Sequence, residues 1–185
     1  MEKIFEYEIK CPVCENTIKV SDYLYEAPFN EKLIISGGVC GKCGYKYSDV
    51  RLAESRGPLR IRYIVENERD VNAIIVRSST GIIRIPELGV EIIPGIASQG
   101  FITTIEGIIL DVLEKAKFLC ETGEVDKNTC EERISMLVKA SNGEVKYTVE
   151  LIDPSGLSTI VSDKAVTENL SYEELEKIIA EIYSK

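Results

Sequence analysis

A mainly β fold with an α insert is predicted by three features of the sequence. These are two C-x₂-C pairs near its start, runs of β-branched residues between glycines and prolines in its middle, and helical periodicity confined to later stretches. The pairs are Cys11-Pro-Val-Cys14 and Cys40-Gly-Lys-Cys43, with 25 residues between them. Two residues between thiolates let one tight turn aim both sulfurs at a single ion, and two such turns complete a tetrahedron with Zn–S distances of ~2.3 Å. Strand-like runs at 4–10, 17–20, 32–36 and 45–52 flank the turns, which makes the unit a zinc ribbon. Gly41 and Gly44 are expected at positive-φ positions of the second turn. A site of four thiolates leaves no position for water or substrate, so one Zn²⁺ held by Cys11, Cys14, Cys40 and Cys43 is expected to be structural. Its binding would supply folding free energy that so small a segment cannot obtain from apolar burial.

Two other readings of these residues fail on their surroundings. A redox-active C-x₂-C opens a helix in a βαβ unit, and neither pair here precedes one. Gly37-Gly-Val-Cys-Gly41-Lys42-Cys43 is one residue too short for a phosphate loop and has Cys where the Mg²⁺-binding hydroxyl belongs.

Composition narrows the function further. The chain has no histidine, which excludes Ser-His-Asp and Cys-His hydrolases, His-ligated metals and Cys₂His₂ fingers. Its net charge of −9 opposes broad nucleic-acid binding, which depends on Lys and Arg neutralising phosphates. No basic start with an apolar run follows Met1, and no stretch approaches ~18 apolar residues, so a cytoplasmic protein without a membrane span is expected. A high isoleucine content beside a single glutamine, Gln99, hints at a thermophilic source.

The turn signal Arg56-Gly57-Pro58 divides the chain into a ribbon, 1–57, and a β-rich part, 58–185. Separate stabilising terms lead to the expectation that losing one thiolate unfolds the ribbon and leaves the β-rich part's transition largely intact. Strands are predicted at 59–65, 71–77, 81–85, 90–93, 144–152 and 158–161. Between them a helical hairpin occupies about 103–141. Thr103 with Glu106 and Asn128 with Glu131 form capping boxes, and Ile105, Ile109, Val112, Ala116, Leu119, then Ile134, Leu137 and Val138, recur at helical spacing. A third helix starts at Ser171 with Glu174 and carries Leu175, Ile178, Ile179 and Ile182.

Cys120 ends the first hairpin helix and Cys130 starts the second. A helix end and the following helix start are neighbours in an antiparallel hairpin, so the thiols should meet. Geometry permits a disulfide between them, worth ~2–3 kcal/mol for so short a loop. Two buried thiols acting as small hydrophobes are the alternative.

After the ribbon the chain reads Glu68-Arg-Asp-Val71, Val76-Arg-Ser78, Ile85-Pro-Glu-Leu88, Ile93-Pro-Gly95 and Gly100-Phe-Ile-Thr-Thr-Ile-Glu-Gly107, with Asp153-Pro-Ser-Gly156 and Ser158 downstream and Pro28-Phe29 with Glu31 upstream. In that order, from Cys11 to about Ser158, these resemble the ZPR-type zinc-finger family. The resemblance implies a zinc ribbon followed by a double-stranded β-helix domain with an inserted helical hairpin. It also implies one copy of a module that eukaryotic members carry twice, as in archaeal members. The implied partner is the GTPase translation elongation factor one-alpha, which eukaryotic members are implicated in folding. Lys46-Tyr-Ser-Asp49 departs from the polar, Arg/Asn-rich stretch usual after the second knuckle.

The leading function is therefore a non-enzymatic, zinc-stabilised adaptor or chaperone for that factor. Arg69, Asp70 and Glu87 are the candidate partner contacts, because any polar residue would satisfy solvent at those places. A nucleic-acid-binding ribbon is the alternative, with Lys42, Lys46 and Arg51 as its local support. A metal-dependent oxygenase, which this β fold can host, needs two histidines and is excluded.

Overall fold

The computed structural model describes residues 1–123 and 126–184, so residues 124–125 of the predicted hairpin and Lys185 at the end of the 58–185 part lie outside the described residues. The first four strands, β1 (Glu2–Lys10), β2 (Thr17–Glu26), β3 (Lys32–Val39) and β4 (Lys46–Leu52), form an antiparallel sheet in sequence order. In such a meander alternate turns lie at the same end. The β1–β2 turn and the β3–β4 turn, which carry the two cysteine pairs, are thereby brought together.

Two further sheets form the second part. One has the order β12-β5-β10-β7-β8, from β5 (Leu59–Val65), β7 (Ile82–Ile85), β8 (Val90–Ile92), β10 (Tyr147–Asp153) and β12 (Val166–Asn169). The other has the order β11-β6-β9, from β6 (Ile74–Arg77), β9 (Phe101–Thr104) and β11 (Thr159–Val161). The period-two pattern explains the first sheet. Leu59, Ile61, Tyr63 and Val65 on β5, with Tyr147, Val149 and Leu151 on β10, are buried in one core, while Arg60, Arg62 and Glu150 face outward into ion pairs. Each aliphatic residue so buried contributes ~1.5–3 kcal/mol.

The non-alternating pair Ile82-Ile83 is apolar on both faces because both faces are covered. Ile83 enters the main core, and Ile82 with Ile152 packs against α3 (Tyr172–Tyr183) through Leu170, Leu175 and Ile182. That helix has the capping box read from the sequence: the Ser171 hydroxyl accepts from Glu174 N–H, and the Glu174 carboxylate accepts from Ser171 N–H at 2.8 Å.

The hairpin consists of α1 (Ile105–Glu121) and α2 (Lys127–Ser141), inserted between β9 and β10. Its caps differ from those expected. Thr104, not Thr103, caps α1 by accepting from Gly107 N–H, and Asp126, not Asn128, caps α2 by accepting from Thr129 N–H. Only the stem reaches the core: Ile105, Ile108, Ile109 and Leu113 of α1 and Leu137 and Ala140 of α2 are buried, whereas Leu119 and Val138 are exposed. The strand expected at 71–77 starts later, because Asp70–Asn72 forms a 3₁₀ turn, and β9 and β12 are strands that the sequence pattern did not mark. Both are four residues long, and β12 has no buried residue to set a period.

A buried seam joins the ribbon to the β-rich part. Ala27, Leu33 and Leu52 pack with Val76, and Phe29, Ile35, Val50 and Leu157 line the same cluster. Backbone bonds run from Leu52 N–H to Leu157 O at 2.9 Å and from Arg56 N–H to Gly156 O at 3.0 Å. Gly156 has φ 66 and lies so close to Gly57 that a Cβ would sit 2.1 Å from the Gly57 carbonyl oxygen, so only glycine is accommodated. The expectation of two independently stabilised parts does not match this packing, since removing the ribbon would expose the seam.

Asp153 shapes the ledge on which the ribbon rests. Fully buried, its carboxylate accepts from Ser78 Oγ, Thr80 Oγ1 and Ser158 Oγ, and from the N–H groups of Ser155 and Leu157. Burial acts to raise its pKa, but the bonds from Ser158, Thr80 and Ser155 outweigh burial and hold it below the ordinary 3.8. A depressed folded-state pKa contributes stability that is complete above the ordinary value and is lost as pH falls through the folded one. Asp153→Asn is therefore expected to cost ~2–4 kcal/mol at neutral pH, with the difference from wild type shrinking below about pH 3.8, in urea unfolding measured across pH.

Candidate metal centre

Both cysteine turns make the same pair of backbone hydrogen bonds. In the first, Glu15 N–H donates to Cys11 O at 2.9 Å and Cys11 N–H to Asn16 O at 2.8 Å. In the second, Gly44 N–H donates to Cys40 O at 2.9 Å and Cys40 N–H to Tyr45 O at 2.8 Å. The turn requires a left-handed residue directly after its second cysteine. Gly44 meets this with φ 75, and Glu15 takes φ 58 at the matching position of the first turn, at a cost of ~1 kcal/mol for a residue with a Cβ. Gly41 does not have the positive φ expected of it. Its place is the middle of the turn, which any residue can occupy, as Pro12 does in the first.

The four sulfurs converge. Sγ of Cys11 lies 3.5 Å from that of Cys43, Sγ of Cys14 lies 3.5 Å from that of Cys40, and all four lie within 4.8 Å of one another. A tetrahedron with Zn–S bonds of ~2.3 Å has edges of about 3.8 Å, so the donor set fits zinc by spacing as well as by chemistry. Cys11 and Cys40 are buried against Ile18 and Val20, with Tyr7, Ile9, Tyr45 and Tyr47 around them.

Electrostatics alone would not hold four thiolates here. Backbone N–H groups of Cys43 and Lys42 lower the Cys40 thiol to about 6. Cys43 receives a hydrogen bond from Tyr45 N–H, yet burial and the three other sulfurs push it up to about 12. Without a cation, one sulfur ionises at the expense of another. A divalent cation removes this conflict and permits all four to be thiolates.

The three residues singled out as partner contacts have different surroundings. Asp70 is buried, and its carboxylate accepts from Glu66 N–H at 3.0 Å, Asn67 Nδ2 at 3.0 Å and Lys164 Nζ at 2.8 Å. Glu87 accepts from Thr148 N–H at 3.1 Å and Thr148 Oγ1 at 2.9 Å, fastening the turn after β7 to β10. Both side chains thus have internal work. Arg69 is exposed, and its guanidinium makes no hydrogen bond or ion pair among the described residues.

Residues with a larger structural role passed unmarked in the sequence reading. Asp22, Ser36 and Asp49 are buried neighbours on β2, β3 and β4, and Arg51 bonds to all three. Asp49 also accepts from Gly100 N–H of the β-rich part at 2.5 Å, so the departure from the family at 46–49 includes a residue of the seam. Arg77, itself buried, lies over the Phe101 ring at 5.3 Å and donates to Gly81 O, Ser98 Oγ and Gln99 O. Their signal was a charged residue inside a β-branched run, as in Val76-Arg77-Ser78.

The elements and the sulfur cluster define a class: a zinc-ribbon protein with a closed four-thiolate centre joined to a β-sandwich carrying a helical hairpin. Models of the ZPR1 zinc-finger domain and the ZPR1 jelly-roll domain match residues 3–56 and 69–181. A ZPR1-like protein of Methanocaldococcus jannaschii is 36% identical over 92% of this chain and 88% of its own length. A second, of Pyrococcus horikoshii, is 35% identical over 96% of this chain and 83% of its own. The zinc finger chaperone zpr1 of Schizosaccharomyces pombe is 28% identical over 95% of this chain, which spans 40% of that protein. The chain belongs to the ZPR1 family, and zinc is its cofactor. Among the described residues no helix is long and apolar enough to cross a membrane.

At the far end of the hairpin the structure joins Cys120 to Cys130 by a disulfide, with Cα atoms 5.8 Å apart. In native protein the bridge leaves both thiols unlabelled by iodoacetamide until reductant is added, which intact mass and peptide mapping read directly. Labelling of both before reduction is the contrary result.

Proposed function

We propose that the chain is a non-enzymatic, zinc-stabilised adaptor or folding chaperone of the cytoplasm that binds the GTPase translation elongation factor one-alpha of its own cell. The observation that carries this reading is the match of nearly the whole chain to one module of a relative named as a zinc finger chaperone. The closed sulfur site supports it, because four cysteine ligands satisfy a tetrahedral ion and leave no coordination position for a substrate. The acidic balance of the chain suits a partner that presents basic surface. Partner contact fits Arg69 better than Asp70 or Glu87, whose carboxylates are already occupied.

The nucleic-acid reading loses part of its local support. Arg51 spends its guanidinium on Asp22 and Asp49, which leaves Lys42 and Lys46 as bases near the second knuckle.

A chaperone or adaptor that follows a GTPase cycle needs contacts that differ between nucleotide states. Titration of the purified elongation factor is expected to give tighter binding in the GDP or nucleotide-free form. Arg69→Glu is expected to weaken it about tenfold without changing zinc content or unfolding midpoint. Equal affinity for both nucleotide forms contradicts the state preference. Absence of binding in every state contradicts the function.

A further inference from the structure

The jelly-roll sheets leave a groove open on one side. β8 is the edge of the five-stranded sheet and β9 the edge of the three-stranded one, and both edges border the groove together with α1. Its volume is about 550 Å³, and Val90, Ile92, Phe101, Ile108 and Val112 line it. Ile92, Phe101 and Val112 are only partly buried and pack on the main core, so the core comes to the surface here. The loop from β8 to β9 is anchored at its far half. Arg77 holds Ser98 and Gln99, Gln99 Nε2 donates to Tyr45 OH at 2.7 Å, and Asp49 holds Gly100. Its near half carries Ile96, which is fully exposed.

We infer that this groove binds an extended, strand-forming segment of an incompletely folded partner chain, apolar at alternate positions and basic beside them. The inference deepens the chaperone reading above and rests on it. An edge strand offers main-chain groups that an added strand can pair with, and apolar pockets beneath it select alternate side chains. Ile92 and Val90 point to one side of β8, toward the floor formed by Ile108 and Val112, which is where alternate residues of an added strand would fall. Charge gives the basic preference. Asp111, at the lip, is exposed, its carboxylate takes part in no hydrogen bond or ion pair among the described residues, and the neighbouring Lys115 ammonium is turned to the Asp111 carbonyl. On a chain of net charge −9, an acidic segment would be repelled as well as unpaired. This surface is separate from the sulfur centre, so zinc stabilises the module without touching the bound segment.

The test uses the full zinc-loaded chain and a fluorescein-labelled nine-residue peptide alternating Val with Lys and Thr, read by anisotropy. Binding is expected, and it should weaken at least tenfold when alternate peptide nitrogens are methylated, when Lys is replaced by Glu, or when Val112→Glu is introduced. Asp111→Lys, at an exposed position, should weaken it about fivefold and carries the comparison if Val112→Glu fails to fold. No binding, or equal binding of the N-methylated peptide, overturns the inference. Concentration-dependent self-association that Val112→Glu abolishes also overturns it, because a second copy then fills the groove. Folded elongation factor is titrated in parallel. If it binds wild type and both variants equally while the peptide does not bind, the groove inference falls and the family reading stands. If the peptide binds as described and folded factor does not, the groove stands and the elongation-factor reading falls.

Discussion

Four sulfurs held within 4.8 Å of one another are the constraint on which the ribbon depends. Around them only Ile18 and Val20 are fully buried aliphatic side chains, worth ~3–6 kcal/mol together. Ordering the backbone costs ~1–2 kcal/mol per residue, so burial near the knuckles cannot offset the ordering of four strands. Structural zinc supplies ~10–16 kcal/mol in small domains of this kind, enough to change the sign of the balance. The remainder comes from the seam, where Leu33 and Leu52 meet Val76 of the jelly roll. Metal and seam act on opposite ends of one meander, and the ribbon is ordered between them.

The seam also explains why the charged residues in the family motifs lie inside the protein. Asp153 collects donors from Ser78, Thr80, Ser155 and Ser158 and fixes the turn that meets Gly57. Arg77 and Asp49 fix the loop end at Gly100 from its two sides. Polar groups that are fully satisfied at such depth specify one geometry, because any other arrangement leaves a buried charge without partners. The motif residues thus position the two parts against each other, and the surfaces left for a partner are elsewhere.

Much of this was legible in the sequence. The C-x₂-C pairs determined the ribbon, because no common alternative fits two such turns between strands, and strands with strict alternation, such as β5, appeared at their true bounds. The helical insert and the box at Ser171 were equally plain. What sequence patterns did not reveal depends on tertiary partners. β12 pairs with β5 through an exposed four-residue run that has no apolar period. The α1 and α2 caps shifted by one or two residues because neighbouring polar residues compete for one role. Glu15 looked like any surface acid, and only the matching hydrogen bonds of the two turns show that it occupies the position of a glycine. Asp70 and Glu87 stood out correctly as unusual, but what made them so was internal bonding to Lys164 and Thr148.

The central claim is that zinc and seam stabilise ribbon and jelly roll as a coupled unit. Equilibrium unfolding of the purified chain, with zinc measured by atomic absorption and then removed by chelator or by Cys40→Ser, tests it most directly. The account requires one zinc per chain and, on its loss, a ribbon that unfolds and a jelly-roll transition that moves to lower denaturant because Val76 and Leu157 are uncovered. Substoichiometric zinc in well-folded, reduced protein, or a jelly-roll midpoint unchanged after zinc is removed, would contradict it.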